Sequence, residues 1–411
     1  MPLIELTAAE RRYIQAHDRD DVRQLVLRAS GSMGLDVRKL AAQIAARQKA
    51  RHKLPTWCAN DALVFPPALS VEQASSEQTA RYKASLVGGQ TLLDLTGGMG
   101  VDAWAFAERV AEVVCVERQP ELADLTRYNL SQLGASNVAV RAGDGLAFLA
   151  TYADTADWLY LDPVRRDDAG DRVVGLADCE PNVLHPGTLP LLLTKAHRVL
   201  LKTSPLLDID QTLRQLPTTE AVHVVAVGGE VRELLFVLGQ TPAEPDAVAV
   251  TAVNLTPGGS VALHFRRGEE RTAEVRFADP ARYLYEPNAA VLKAGAFRLV
   301  AARFGVQKLA PHSHLYTSDG LHPGFPGRAF VLEQIIRPDR AALRGLLPAM
   351  KANLTARNFP QTVADLRKKL GLAEGGTTYI FATTLLNGDK RLLISQKANV
   401  PVAQQNGSPA G

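Results

Sequence analysis

The sequence is poor in cysteine. Cys58, Cys115 and Cys179 are the only three in 411 residues, and their wide spacing excludes a disulfide framework and a zinc-finger pattern. No apolar run reaches the length of a membrane span. The start, MPLIELTAAERRYIQ, turns charged at once and has no signal-peptide core, so a cytoplasmic protein with no membrane partner is expected. No internal repeat is found. His312, His314 and His322 fall close together, but no carboxylate or cysteine completes a set, so no metal is expected.

The chain does have ordinary globular composition, 46% hydrophobic and 22% charged, and a length that implies about two to four domains. The net charge of +3 hides a segregation. Residues 1–88 carry 13 Lys and Arg against 9 Asp and Glu, residues 89–240 carry 12 against 21, and residues 241–411 carry 21 against 13. Basic flanks around an acidic middle suit a polyanion, because each phosphate contact releases counterions.

Residues 1–88 read as helices, with apolar residues at three- and four-residue steps in DVRQLVLRAS and DVRKLAAQIAARQKARHK. Asp36 is placed to cap the second, and Arg47, Lys49, Arg51, His52 and Lys53 end it, as cations against the helix dipole or as nucleic-acid contacts. A linker follows, then a helix capped at Ser75 or Ser76. From residue 91 strands and helices alternate: TLLDL, VDAWAFAERV, AEVVCVE, PELADLTRYNLSQLG, NVAVRAGD, ADWLYLDP and HRVLLKTSP. That pattern predicts an α/β, mostly parallel, doubly wound sheet. AVHVVAVGG and VRELLFVLG are joined too closely for a parallel crossover, so the sheet must end in an antiparallel hairpin.

The turn DLTGGMGVD links the first strand to the first helix. A triphosphate loop would need Lys-Ser/Thr after Gly100, and Val101-Asp102 stands there instead. A dinucleotide fingerprint is only half matched. Asp94 at the strand end would repel a pyrophosphate by roughly 1 kcal/mol. S-adenosylmethionine has no phosphate and carries two positive groups, so Asp94 becomes an asset. Glu117, Asp144 and Asp162 end the next three strands, placed for the ribose hydroxyls, the adenine amino group and the reacting centre. The candidate cofactor set is Asp94, Thr96, Gly97, Gly98, Gly100, Glu117, Arg118, Asp144 and Gly145.

LDLTGGMGVDAWAFA, VVCVERQP, AGDGLAFL and LYLDPVRRD resemble class I S-adenosylmethionine-dependent methyltransferases, and the first two also resemble a bacterial small-subunit rRNA guanine-N2 methyltransferase family. LTARNFPQTVADLRKKLGLAEGGTTYIFATTLLNGDKRLLISQK resembles THUMP-like domains, and YLYEPNAAVLKAGAF with KLAPHSHLYTSD resembles the small ferredoxin-like insert of the same bacterial family. Periodicity gives a helical domain at 1–88, the resemblance implies a Rossmann-like methyltransferase domain at 89–241, a ferredoxin-like α+β domain at 242–325 and a THUMP-like domain at 326–400, and composition makes 401–411 a disordered tail.

Related enzymes that methylate an exocyclic base amine use Asp/Asn/Ser-Pro-Pro-aromatic. Asp162-Pro163 keeps the start of that motif, whereas Val164-Arg165-Arg166 replaces the rest. Asp162, Pro163 and Lys202 are the catalytic candidates; Arg165, Arg166 and Ser204 are the substrate-binding ones. Arg165 and Arg166 can stack on a base or pair with phosphate, or else pair with nearby aspartates. The expected activity is S-adenosylmethionine-dependent methylation of a base in structured rRNA or tRNA. Methylation of a protein or small molecule, or a non-catalytic RNA-binding module, are the alternatives.

Overall fold

Residues 5–27, 34–165 and 175–399 are described by the computed structural model; Arg166, the side chain of Arg165 and the tail 401–411 lie outside the described residues. The chain divides into two units, Met1–Ala221 with Glu233–Ala243, and Val222–Arg232 with Glu244–Gly411. Among the described residues no helix is long and apolar enough to cross a membrane.

The first unit opens with α1 (Ala8–Ala16), α2 (Val22–Leu27), α3 (Val37–Ala50), α4 (Pro55–Ala59), α5 (Ala68–Gln73) and α6 (Glu77–Ala84). Asp36 caps α3, its carboxylate accepting the Lys39 N–H at 3.1 Å. Leu6, Ile14, Leu25, Leu40, Ile44 and Val64 form one apolar core, and Leu125 and Tyr128 pack against it from α8 (Pro120–Gln132). Of the basic residues at the end of α3, Arg47, Arg51 and Lys53 are engaged internally, while Lys49 and His52 are exposed. Arg47 donates to the carbonyls of Asn60 and Leu63 at 3.4 and 2.9 Å. Arg51 pairs with Asp18 at 2.8 Å, and Lys53 donates to the carbonyls of Val71 and Glu72. The segment expected to be a linker instead holds α4 and α5.

The sheet of this unit contains β1 (Gly89–Asp94), β2 (Val110–Glu117), β3 (Val138–Ala142) and β4 (Ala156–Leu161), all parallel, in the spatial order β4-β1-β2-β3. Ala196–Thr203 adds on parallel beyond β4, and Leu234–Leu238 lies antiparallel on Val199–Thr203. Thr219–Val227 turns into Glu230–Leu238 through Gly228 and Gly229, whose φ values of 62° and 85° suit the tight turn of a hairpin. Leu92, Leu93, Val113, Leu159, Leu161 and Leu200 are fully buried, as parallel strands covered on both faces require. The first parallel strand gives way to α7 (Val101–Phe106) through the glycine turn. Gly100 sits there at φ 85°, and a Cβ on it would come within 2.6 Å of Thr126 Cγ2 on α8, so only glycine fits.

In the second unit Ala249–Thr256 and Gly259–Arg266 pair as an antiparallel ribbon. A seven-stranded sheet runs in the order Gln307–Lys308, Tyr316–Ser318, Tyr283–Pro287, Gly327–Ile336, Lys390–Lys397, Thr378–Thr384, Asn353–Arg357. Its only parallel contact in that order is Asn353–Arg357 on Thr378–Thr384, the two ends of a crossover through the helix Val363–Leu370. Leu366 and Leu370 of that helix bury against Leu354, Ile380, Leu392 and Ile394. The His314 ring stacks on Phe297, with centroids 3.8 Å apart.

Candidate active site

At the carboxyl ends of β1, β2 and β4 a cavity of about 370 Å³ opens in the first unit. Its walls collect most of the residues that the sequence pattern singles out. Thr96, Gly97, Gly98 and Gly100 come from the turn after β1, Glu117 and Arg118 from the end of β2, Asp144 and Gly145 from the start of α9 (Gly145–Thr151), and Asp162 from just beyond β4.

Thr96, Glu117, Asp144 and Asp162 are each fixed by a hydrogen bond. The Gly98 N–H donates to Glu117 Oε2 at 2.7 Å, and the Gln119 N–H donates to Oε1 at 2.8 Å. The carboxylate is thereby locked in orientation with acceptor capacity left over for a ligand hydroxyl pair. Asp144 caps α9 by accepting the Ala147 N–H at 2.9 Å, yet remains exposed on the cavity wall. Thr96 Oγ1 accepts the Asp162 N–H at 2.8 Å, tying the β1 turn to the β4 end. Gly98, unlike Gly100, has open space where a side chain would stand, at φ 53°, while its N–H donates to Glu117 and its carbonyl accepts from Thr126 Oγ1 at 2.9 Å.

Asp94 is placed differently. It is off the cavity wall, 1% exposed, and accepts the Thr96 N–H at 3.0 Å behind the turn. Burial pushes its carboxyl up to about 8, opposed by that N–H and reinforced by the charges of Asp102, Asp162 and Glu117. Pro163 is buried, and Ser204, off the wall, accepts the Leu206 N–H at 3.2 Å. Lys202 stands behind Asp162 and donates to its Oδ2 at 2.6 Å. Burial would depress the ammonium, but Asp162 and Glu233 outweigh it and raise it above the usual lysine value. Val164–Arg165 forms a two-stranded ribbon with Cys179–Glu180, and Val164 and Glu180 reach the cavity.

Besides that ribbon, sequence reasoning missed two sources of wall. One is Ser70, Gln73, Ala74 and Ser75, at α5 and its end. The other is Asp102, in the first turn of α7. Asp102 Oδ2 accepts from Ser75 Oγ and Tyr160 OH, each at 2.8 Å. Burial works to raise its carboxyl, and Lys83 and Lys202 outweigh burial and hold it below its ordinary value. The signal was present as the acid two residues past Gly100, and as the paired serines read only for capping. Ser76 does cap α6, accepting the Thr79 N–H at 3.1 Å, which frees Ser75 to face the cavity.

Known proteins share this construction. A sequence model of the protein-L-isoaspartate(D-aspartate) O-methyltransferase family matches residues 73–156, a ferredoxin-like domain model matches 283–326, and a THUMP domain-like model matches 327–397. An uncharacterized S-adenosylmethionine-dependent methyltransferase of Mycobacterium tuberculosis is 27% identical over 334 residues, 79% of this chain and 87% of the relative. A crystal structure described as a "putative methyltransferase" from Porphyromonas gingivalis W83 is 35% identical, with a TM-score of 0.85 over 95% of this chain and 98% of that one. The chain belongs to this methyltransferase family. It is an S-adenosylmethionine-dependent methyltransferase. A shorter match joins the methyltransferase to the ribosomal RNA small subunit methyltransferase J of Coxiella burnetii, 33% identical over 136 residues, 29% of this chain and 51% of the relative.

The cavity fits the cofactor of such a methyltransferase. Its wall offers the carboxylates of Glu117, Asp144 and Asp162, acceptors suited to a hydroxyl-rich and cationic ligand. S-adenosylmethionine supplies an electrophilic methyl group held on a positively charged sulfur.

Proposed function

We propose that this methyltransferase modifies a base in a structured RNA, rRNA or tRNA, in the cytoplasm. The observation that carries the reading is the union in one chain of the acid-walled cavity with a THUMP-like segment whose cations outnumber its anions, 12 against 5 over residues 326–411. Lys368 and Lys369 on the helix Val363–Leu370, and Lys390 and Lys397 on the neighbouring sheet, are exposed to solvent, as phosphate contacts must be. The likeness to an rRNA methyltransferase of Coxiella burnetii supports the same substrate class.

In this reading Glu117 holds the cofactor's ribose hydroxyls and Asp144 its adenine amino group. The turn Thr96–Gly100 passes its backbone along the ligand, with Arg118 and Gly145 completing the wall. Asp162 accepts a hydrogen bond from the base nitrogen to be methylated and keeps its lone pair aimed at the methyl group. Lys202 holds Asp162 in place, and Pro163 stiffens the turn. Arg165, Arg166 and Ser204 steer the base or its phosphate. The enzyme's contribution is chiefly positioning, which can be worth about 7–11 kcal/mol when reactants are well aligned.

A protein substrate is the second reading, favoured by the match of residues 73–156 to the isoaspartate methyltransferase model. That match ends before Asp162 and so covers the cofactor half of the cavity rather than the acceptor half. Mass spectrometry of nucleosides from rRNA and tRNA of a deletion strain and its parent tests the proposal. Loss of one methylated nucleoside in the deletion strain is expected; identical profiles would overturn the RNA reading.

A further inference from the structure

Lys83 of α6 is fully buried, an expensive place for a charge, which is tolerated only with several partners. Its ammonium has three, each from a different part of the fold. It donates to Ser75 Oγ at 2.7 Å, lies 3.0 Å from Asp102 Oδ1, and donates to Glu233 Oε2 at 3.2 Å. Glu233 is buried on the strand Glu230–Leu238, and the Tyr160 ring lies 5.7 Å from the ammonium. Two of these partners, Ser75 and Asp102, are themselves cavity wall and are bonded to each other at 2.8 Å. The arrangement is a closed triangle of Ser75, Lys83 and Asp102, anchored to the sheet through Glu233.

We infer that Lys83 is a positioning residue of the cofactor cavity: it fastens the Ser70–Ser75 wall, supplied by the helical segment, to the first turn of α7 after the glycine loop. The inference rests on the reading that the cofactor occupies this cavity. The helices α1–α6 lie outside the sheet that carries the other binding residues, and the Lys83 cluster is the place where the Ser70–Ser75 wall is bonded to α7. The sequence spacing agrees. Ala80, Lys83 and Ala84 share one face of α6, and Lys83 occupies that buried face where a solvated lysine would not be placed.

Calorimetric titration with S-adenosylhomocysteine, joined to hydrogen exchange, tests this. Wild-type protein must first bind the compound; if it does not, the cofactor reading fails and not this inference. Lys83→Met is expected to weaken binding about ten-fold or more, as loss of charge-assisted bonds at one wall implies. Exchange should rise in peptides covering residues 68–76 and stay unchanged in β1 and β4; a purely structural role would raise exchange throughout. Ser75→Ala should weaken binding about five-fold, while Ser75→Thr, which keeps the hydroxyl, restores it. Folded Lys83→Met with wild-type affinity and wild-type exchange at 68–76 would overturn the inference. Should Lys83→Met not fold, Ser75→Ala with unchanged affinity, or Ser75→Thr binding no better than Ser75→Ala, would do the same.

Discussion

The Lys202 ammonium donates to Asp162 Oδ2 at 2.6 Å, one residue on the cavity wall and the other just behind it. This pair separates two jobs that a single carboxylate could not do alone. In the proposed function Asp162 meets the substrate, and Lys202 fixes the direction of its carboxylate.

Asp162→Asn keeps the size of the side chain and loses the anion. We expect affinity for S-adenosylhomocysteine to change by less than about three-fold, and methyl transfer to RNA from a deletion strain to fall about 100-fold or more. Incorporation of labelled methyl groups, measured beside calorimetry, checks both halves. Unchanged incorporation would remove Asp162 from the reaction.

Glu117→Ala should act on binding instead. It removes the acceptor for the Gly98 and Gln119 N–H groups together with the proposed ribose contact. A loss of about 1.5–3 kcal/mol, ten-fold or more in affinity, is expected by calorimetry. Affinity within about two-fold of wild type, roughly 0.4 kcal/mol, would mean the ligand sits elsewhere.

Asp94 gives a pH signature. Its folded value of about 8 lies above its ordinary value of 3.8, so the folded state holds a proton that the unfolded state has released. Its contribution to stability is therefore complete below about pH 4, declines as pH rises toward 8, and is flat above. Asp94→Asn can still accept the Thr96 N–H and has no charge to bury. The variant should be more stable than wild type at pH 9 by about 1 kcal/mol or more, with the gap closing at acid pH. Urea melts at several pH values read this directly, and a gap independent of pH would contradict the buried-acid account.

Gly100→Ala meets two penalties, the positive φ and the approach to Thr126 Cγ2. We expect about 1–3 kcal/mol of destabilisation. Thr126→Ser removes the offending methyl group, so the double variant should recover the steric part and keep the backbone part. Chemical melts of the two single variants and the double variant separate them.

Much of this was legible in the sequence, and the reasons differ by element. The parallel strands could be read because each is a short apolar run ending in an acid, and the hairpin because Gly228-Gly229 leaves no room for a crossover. Glu117, Asp144 and Asp162 could be placed because strand ends share one edge of such a sheet. Asp94 fits the same rule and yet is buried behind the turn, where one of its oxygens accepts the Thr96 N–H. Asp102, Ser75 and Lys83 were not legible as a group. Their partnership joins residues 27 and 8 positions apart, through a fold of helices that no local pattern fixes. The basic run at the end of α3 was legible as cations but not as to purpose, because its carbonyl partners come from later turns.

The Ser70–Ser75 wall carries a consequence for anyone dissecting this enzyme. A fragment begun at residue 89 would retain every parallel strand and the whole glycine turn, and would still be a cup with one side cut away. The sheet and the helices before it enclose one cup between them, so grafting either onto another protein would transfer half of a handshake.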